Sequence, residues 1–182
     1  MAVHDRFAQR GTIMRYILAL APLALLGTAP TSAPLAQDAP IEAGVDYAGF
    51  VQLAGELGSY RETRLLGWQD WHRQANLPGA IILDTRSAEA FAAGHIAGAV
   101  NLPFSDFTDA KLAEVIPGPD TPVFIYCNNN FADDRPPVPL KRIQLALNIP
   151  TFINLYGYGY RNVWELDGVM MTASVPWISS EG

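Results

Sequence analysis

The stretch IILDTRSAEAFAAGHIAGAVNLP, from Ile81 to Pro103, decides the fold. With Ala80 in front, it opens on a continuous apolar run that ends in an acid, Asp84. A run with no polar alternation leaves no face for water, so it suits a strand covered on both sides in a parallel sheet. Ser87 can cap the short helix SAEAFAA, and Gly94 can close it. AVNLP then reads as another strand, stopped by Pro103, which has no N–H to give to a ladder. Strand, helix and strand in that order point to an α/β layout.

The flanks repeat the pattern. YAGFVQLAGEL places Tyr47, Phe50, Val51, Leu53, Ala54 and Leu57 on helical spacing. RLL is a short strand, and Trp68, Trp71 and Ala75 suit a helix ending near Asn76, before the Pro78-Gly79 turn. DFTDAKLAEVI is helical, PGPDTP is a loop, and VFIYC is a second strongly buried strand ending at Cys127. PLKRIQLALN reads as a helix, TFINLYGYG as another capped by Thr151, and NVWEL as the last strand. The expectation is one α/β domain with a mostly parallel sheet.

Of the 182 residues, 49% are hydrophobic, enough for a substantial core. The formal net charge of −6 argues against a nucleic-acid partner, which requires a basic face. From Met14 the chain reads MRYILALAPLALLGTAPTSAPLAQ: an arginine, a short apolar run and a zone of small residues and proline. That is the layout of a secretory signal, and the apolar run is shorter than an ordinary membrane span. Residues 1–33 are assigned to a signal peptide cut after Ala33, with a cut after Ala36 as the competing site. The residues before Met14 read as a mis-assigned start. An uncleaved membrane anchor is the other reading. Residues 34–46 form a linker and 47–182 the domain. The expected location is periplasmic or secreted, with no stable membrane insertion after cleavage.

Cys127 is the only cysteine, so no internal disulfide can form. In an oxidising compartment a lone thiol is either buried and inert or kept for its chemistry. Its place at the carboxyl end of a strand is where open parallel sheets bind ligands. Three asparagines follow. Asparagine tolerates left-handed backbone second only to glycine, so CNNN can curl amide groups around the sulfur or an anion; a plain surface turn is the alternative. An amide nest together with a following helix N-terminus would lower the thiol pKa. No metal-ligand spacing is present, and no cofactor is expected.

LDTRSAEAFAAGHIAGAVNLP closely resembles the signature of the rhodanese-like family: D-x-R, an aromatic, then G-H-I-x-G-A-x-N-[IL]-P. Asp84, Arg86, Phe91, Gly94, His95, Ile96, Gly98, Ala99, Asn101, Leu102 and Pro103 carry the match. VFIYC resembles the strand before that family's active cysteine. GYRNVWELDG is similar to its G-[YF]-x-N-V-x-x-L-x-G-G, with Asp167 in place of the first glycine, and Trp177 corresponds to a tryptophan that often follows. The resemblance runs from about Leu65 to Trp177. It implies the rhodanese fold, a parallel five-stranded sheet flanked by helices in a single domain. It also implies sulfur transfer, with Cys127 as the nucleophile and the loop residues Asn128, Asn129, Asn130, Phe131 and Arg135 around the substrate. Asp84, Arg86, His95 and Asn101 read as structural members of the motif, with a direct substrate role as the alternative for Asp84 and Arg86.

The loop departs from the family pattern. It has no glycine, and Arg135 comes eight positions after Cys127. Asp133 and Asp134 bring negative charge toward a site meant for anions, and extra residues separate Cys127 from the Gly-Tyr motif. The C-x5-R pattern of the related phosphatases is not matched. LYGYGYRN places aromatics either in the core or along a pocket wall beside the cysteine, a wall to which Phe131 could also belong. Three functions stay open: a sulfurtransferase or persulfide carrier acting on a small sulfur-containing substrate, a rhodanese-fold module binding a ligand or partner protein, and a redox-sensing thiol.

Overall fold

The computed structural model describes residues 44–133, 137 and 139–179. The proposed signal peptide, Asp134 and Arg135 lie outside the described residues. Among the described residues, five α-helices and seven strands follow in the order α1 (Tyr47–Glu62), β1 (Leu65–Gly67), α2 (Trp68–Ala75), β2 (Ile81–Asp84), α3 (Ala88–Ala93), β3 (Gly94–Ile96), β4 (Ala99–Asn101), α4 (Asp109–Val115), β5 (Val123–Tyr126), α5 (Asn148–Gly157), β6 (Val163–Asp167) and β7 (Trp177–Ser179). Side-chain caps start three of the helices: Asp46 accepts from the Gly49 N–H, Ser87 from Ala90 and Thr108 from Lys111.

The main sheet has five strands in the order β1-β6-β5-β2-β4, and every pairing in it is parallel. The expected parallel five-stranded α/β domain is therefore found. The two central apolar runs sit where they must, with β2 and β5 side by side and Ile81–Asp84 in register with Val123–Tyr126. Alternate residues feed two cores. Leu83, Val123 and Ile125 pack with Leu112, Ile116, Phe152 and Leu155 on one face. Ile82, Phe124 and Tyr126 pack with Trp71, Ala75, Phe131 and Leu166 on the other.

Three local expectations differ. PLKRIQLALN is not a helix: only a 3₁₀ turn, Ile143–Leu145, forms within it. The Asn129 side chain explains why, since it donates to the Lys141 carbonyl at 2.7 Å and accepts from the Lys141 N–H at 3.2 Å. The Lys141 carbonyl is thereby taken away from the i→i−4 ladder of a helix starting at Pro139. Leu140, Ile143 and Leu145 remain exposed, so no core rewards a helical face. The next helix, α5, starts at Asn148 instead of Thr151, with Pro150 in its first turn, where no N–H is needed. Thr151 lies inside it, its hydroxyl 2.9 Å from that of Thr85. NVWEL is not the last strand: β7 follows and pairs antiparallel with β3, a two-stranded ribbon at the Gly-His-Ile turn.

Candidate active site

Cys127 follows the last residue of β5 and has extended backbone, φ −147° and ψ −179°. Two residues on from Ile125, its side chain leaves the sheet on the same face. That face carries α5. The backbone amides of Asn148 and Leu147, at the α5 N-terminus, and of Asn129 act on the thiol to favour its ionised form, against the larger effect of burial. The Asn130 N–H reaches the sulfur. The helix terminus that sequence reasoning sought after the cysteine is thus present, supplied by α5 from beyond the loop.

The asparagines work differently from expectation. Asn128–Asn130 form a right-handed 3₁₀ turn, closed by Asn130 N–H to Cys127 O and Phe131 N–H to Asn128 O, both 3.0 Å. It is no left-handed nest. The side chains do the tying. Asn130 Oδ1 accepts from the Cys127 N–H at 2.9 Å and from Asn148 Nδ2 at 3.1 Å. Asn130 Nδ2 donates to the carbonyls of Leu166 and Gly168 at 2.9 and 3.0 Å. One buried amide therefore joins the ends of β5 and β6 to the start of α5. Asn129 and Asn130 line the cleft at Cys127, while Asn128 is buried behind them.

Phe131 does not wall this cleft. It is fully buried on the opposite face, 5.9 Å from the Tyr126 ring and 4.8 Å from Trp177 between centroids. Its bridge to Met170 turns it there. Arg135 falls outside the described residues, so its place at the site is untouched by these contacts. Asp133 faces away: both of its carboxylate oxygens accept from Thr172, each at 2.9 Å, and these bonds hold its pKa below the usual carboxylate value. The Tyr-Gly stretch also lies elsewhere. Tyr160 is core, and Tyr158 donates to the Phe107 carbonyl at the far end of α5.

The cleft has a volume of about 180 Å³ and includes Arg61, Asn148, Ile149, Glu165 and Leu166 with the thiol. Glu165 pairs in register with Ile125, so its side chain shares the thiol's face of the sheet. It is buried and held bidentately by Arg61 of α1, at 2.7 and 2.5 Å. Burial pushes the Cys127 thiol up in pKa; the amides oppose this, and the Glu165 charge adds to it. The direction is opposite to the expected lowering because Cys127 is only 1% exposed and desolvation outweighs the amides.

The D-x-R motif lies on the other face of the sheet end. Arg86 donates to both Asp84 oxygens, at 2.7 to 3.1 Å, and to the Gly94 carbonyl at 2.6 Å. The Tyr126 hydroxyl donates to Asp84 at 2.6 Å and accepts from the Ile96 N–H at 3.1 Å. Desolvation, then the Asp84 charge, pushes the Tyr126 phenol up. Trp177 lies 5.4 Å from the Arg86 guanidinium and against Gly94. Asn101 Nδ2 donates to the Asp84 and Arg86 carbonyls, and His95 stacks on Phe91 at 3.8 Å with Nδ1 2.8 Å from the Phe91 carbonyl oxygen. None of these four motif residues lines the Cys127 cleft.

Sequence reasoning missed Arg61, Tyr126, Asn148 and Glu165. Glu165 had a signal: a carboxylate amid the apolar residues of NVWEL demands a partner if that strand is buried. Among the described residues, no group of His, Cys, Asp and Glu could hold a metal ion, and no helix is long and apolar enough to cross a membrane.

Comparison with known proteins gives a family. The model of the rhodanese-like domain matches residues 67–171. No curated protein matches the chain. Among solved structures, thiosulfate sulfurtransferase from Pseudomonas aeruginosa is 29% identical, at a TM-score of 0.40, over 58% of this chain and 17% of that one. The Alr3790 protein from Anabaena sp. is 18% identical, at a TM-score of 0.41, over 61% of this chain and 87% of that one. The polysulfide-sulfur transferase homodimer from Wolinella succinogenes is 14% identical, at 0.43, over 70% and 88%. With a family model covering more than half of its length, and the parallel five-stranded sheet that the motif implies, the chain belongs to the rhodanese-like domain family.

Proposed function

We propose that this chain is an exported sulfurtransferase or persulfide carrier with Cys127 as its nucleophile. The observation that carries the reading is the placement of Cys127 in the lining of a cleft at the α5 N-terminus, where the Asn148, Leu147 and Asn129 amides favour its ionised form. Such donors stabilise an anion on sulfur, both the thiolate and the outer sulfur of a persulfide. In the first half-reaction the thiolate electron pair forms a bond to the outer sulfur of a donor. The donor's S–S bond breaks, and its electron pair leaves with the remnant: sulfite from thiosulfate, a thiolate from an organic persulfide. In the second, an acceptor thiolate attacks the outer sulfur of the Cys127 persulfide, and Cys127 leaves as thiolate. The raised thiol pKa keeps the resting group protonated at neutral pH, so ionisation precedes attack. Export rests on the signal-like residues 1–33, with the periplasm or the exterior as the destination; N-terminal sequencing of the exported protein tests it, and recovery of the uncut chain in membranes refutes it.

Burial of the thiol favours a second reading, a rhodanese-fold module that binds a ligand or partner protein without transferring sulfur. Intact mass separates the two. After incubation with sulfane-sulfur donors, wild type should gain one sulfur that cyanide or a thiol removes, and Cys127→Ser should gain none. A wild type that stays unmodified with every donor is a binding module.

A further inference from the structure

One polar group at the thiol cleft lacks a donor. Asn148 is buried, and its Oδ1 has no hydrogen-bond partner among the described residues although it is shielded from solvent. Its orientation is fixed: Nδ2 donates to Asn130 Oδ1, which already accepts from the Cys127 N–H, and a flipped amide would set oxygen against oxygen. A buried acceptor left empty is costly, and it is relieved when a ligand brings an N–H or O–H. Asn148 lines the Cys127 cleft.

The carboxylates of β6 decide which kind of donor fits. Glu165 shares the thiol's face of the sheet through its register with Ile125, and Asp167, two residues on, shares it by the alternation of a strand. Both line the cleft. Glu165 is engaged bidentately by Arg61, the one cation among the described lining residues, so its charge is answered. Asp167 is exposed and enters no ion pair among the described residues. It also stands where the rhodanese-like signature has a glycine, so this charge is a departure of the present chain. A surplus negative charge and an empty buried acceptor together suit a cation that bears N–H groups. Ile143, Ala146 and Ile149 beside them suit a short aliphatic stem.

We propose that Asp167 and Asn148 Oδ1 form an ammonium subsite, and that the molecule accepting sulfur from Cys127 is a small primary aminothiol. The inference rests on the sulfurtransferase reading and adds the class of the acceptor. Between about pH 8.5 and about pH 10.4 an aminothiol is a zwitterion, because its thiol ionises before its ammonium. The ammonium has three N–H groups, enough to donate to the Asp167 carboxylate and to Asn148 Oδ1 together. The thiolate end is left to face the sulfur and attacks the outer sulfur of the Cys127 persulfide. A bond forms between those two sulfurs, the Cys127 S–S bond breaks, and its electron pair leaves on the Cys127 thiolate. The ammonium keeps its protons, and no oxidant or reductant is needed.

The test loads Cys127 with one sulfur from a sulfane-sulfur donor and follows its loss by intact mass, at one pH, to cysteamine, thiocholine, 2-mercaptoethanol and 3-mercaptopropionate. Thiocholine carries the positive charge of cysteamine without its N–H groups. Each rate is divided by that of the same thiol with a small disulfide in solution, which removes differences in thiolate fraction and nucleophilicity. Cysteamine should then exceed 2-mercaptoethanol about tenfold, the combined effect of one hydrogen bond and one solvent-screened charge contact. Thiocholine should fall between them, and 3-mercaptopropionate should be slowest. Asp167→Asn should cut the cysteamine advantage to about threefold, the part left to the hydrogen bond. Asn148→Ala should bring cysteamine down to thiocholine. These are ratios measured on one protein, so a variant's loss of folding or of loading cancels. Asp167 is exposed, and its variant decides the case even where Asn148→Ala does not fold. Equal normalised rates for all four thiols, or the fastest from 3-mercaptopropionate, overturn the subsite and leave the sulfurtransferase reading standing. A cysteamine advantage that survives both substitutions overturns the assignment to Asp167 and Asn148. Failure of every donor to load wild type overturns the sulfurtransferase reading, and the acceptor with it.

Discussion

Asn130 concentrates more of the site than any other residue beside the thiol. Its amide makes four hydrogen bonds, to Cys127, Asn148, Leu166 and Gly168, in a buried position. Glycine there would leave the Cys127 N–H and two carbonyls without partners, so Asn130→Gly should lose about 3 kcal/mol of stability. Asn129→Gly releases only the exposed Lys141 link and should lose about 1 kcal/mol. Urea midpoints check both, and equal losses at the two positions would contradict the assignment. That CNNN is organised around the cysteine was legible in the sequence. That the side chains do the organising was not, because the Leu166 and Gly168 carbonyls lie 36 and 38 residues downstream. Asp84 and Arg86 were legible for the opposite reason: the partners are two residues apart and beside a run that must be buried. Removing either should cost about 3–5 kcal/mol, since the other is left as an uncompensated buried charge. Differential scanning calorimetry of Asp84→Ala checks this, and a variant melting with wild type would contradict it.

At the scale of elements, apolar runs long enough to be buried were readable, and short ones held by distant partners were not. β2 and β5 declare themselves because each is apolar throughout. The ribbon of β3 and β7 does not, because three-residue strands carry no usable periodicity. What makes it is a close approach: a Cβ on Gly94 would lie 2.3 Å from Trp177 Nε1 and 2.8 Å from Cε2. Gly94 has extended φ, 167°, so the requirement is space and not backbone freedom. Gly94→Ala should therefore push Trp177 off Phe131 and off the Arg86 guanidinium. The expected cost is about 1–3 kcal/mol, as for other overpacked sites. Faster amide exchange at Ile96 and Ile178, with the α5 amides unchanged, would place the damage in the ribbon. Uniform exchange throughout the domain would show that Trp177 is not the element affected. The lost helix at residues 139–148 teaches the complementary point. Its spacing was helical, but its apolar residues have nothing to pack against and its backbone is claimed by Asn129.

At the scale of the whole molecule, burial of ionisable groups sets how the fold responds to pH. Cys127 and Tyr126 both have pKa values raised by desolvation, Cys127 at the end of β5 facing α5 and Tyr126 on the opposite face. A raised folded pKa means that the native state keeps its proton when the unfolded chain has lost it. The unfolded thiol ionises near about 8.5 and the unfolded phenol near about 10. Stability from these two groups is therefore complete below about pH 8.5 and falls as pH climbs, first through the thiol and then through the phenol. Cys127→Ser should remove the first part of that decline and leave the second. Tyr126→Phe should do the reverse, and should also lower stability at pH 7 by about 1–3 kcal/mol by stripping Asp84 and the Ile96 N–H of a partner. Urea midpoints taken from pH 7 to about pH 10.5 separate the two limbs. The Arg61–Glu165 pair enters differently. Arg61 belongs to α1, ahead of the family-matched residues 67–171, and its side chain keeps 31% of its surface in water. Arg61→Ala leaves Glu165 buried and unpaired, and the loss should be about 2 kcal/mol, below that of a fully buried pair because solvent already screens the guanidinium. Its further signature is at the thiol: with Glu165 uncompensated beside it, the Cys127 alkylation profile should move to higher pH. A variant that loses stability while its alkylation profile stays in place would make α1 a brace for the sheet with no bearing on the sulfur.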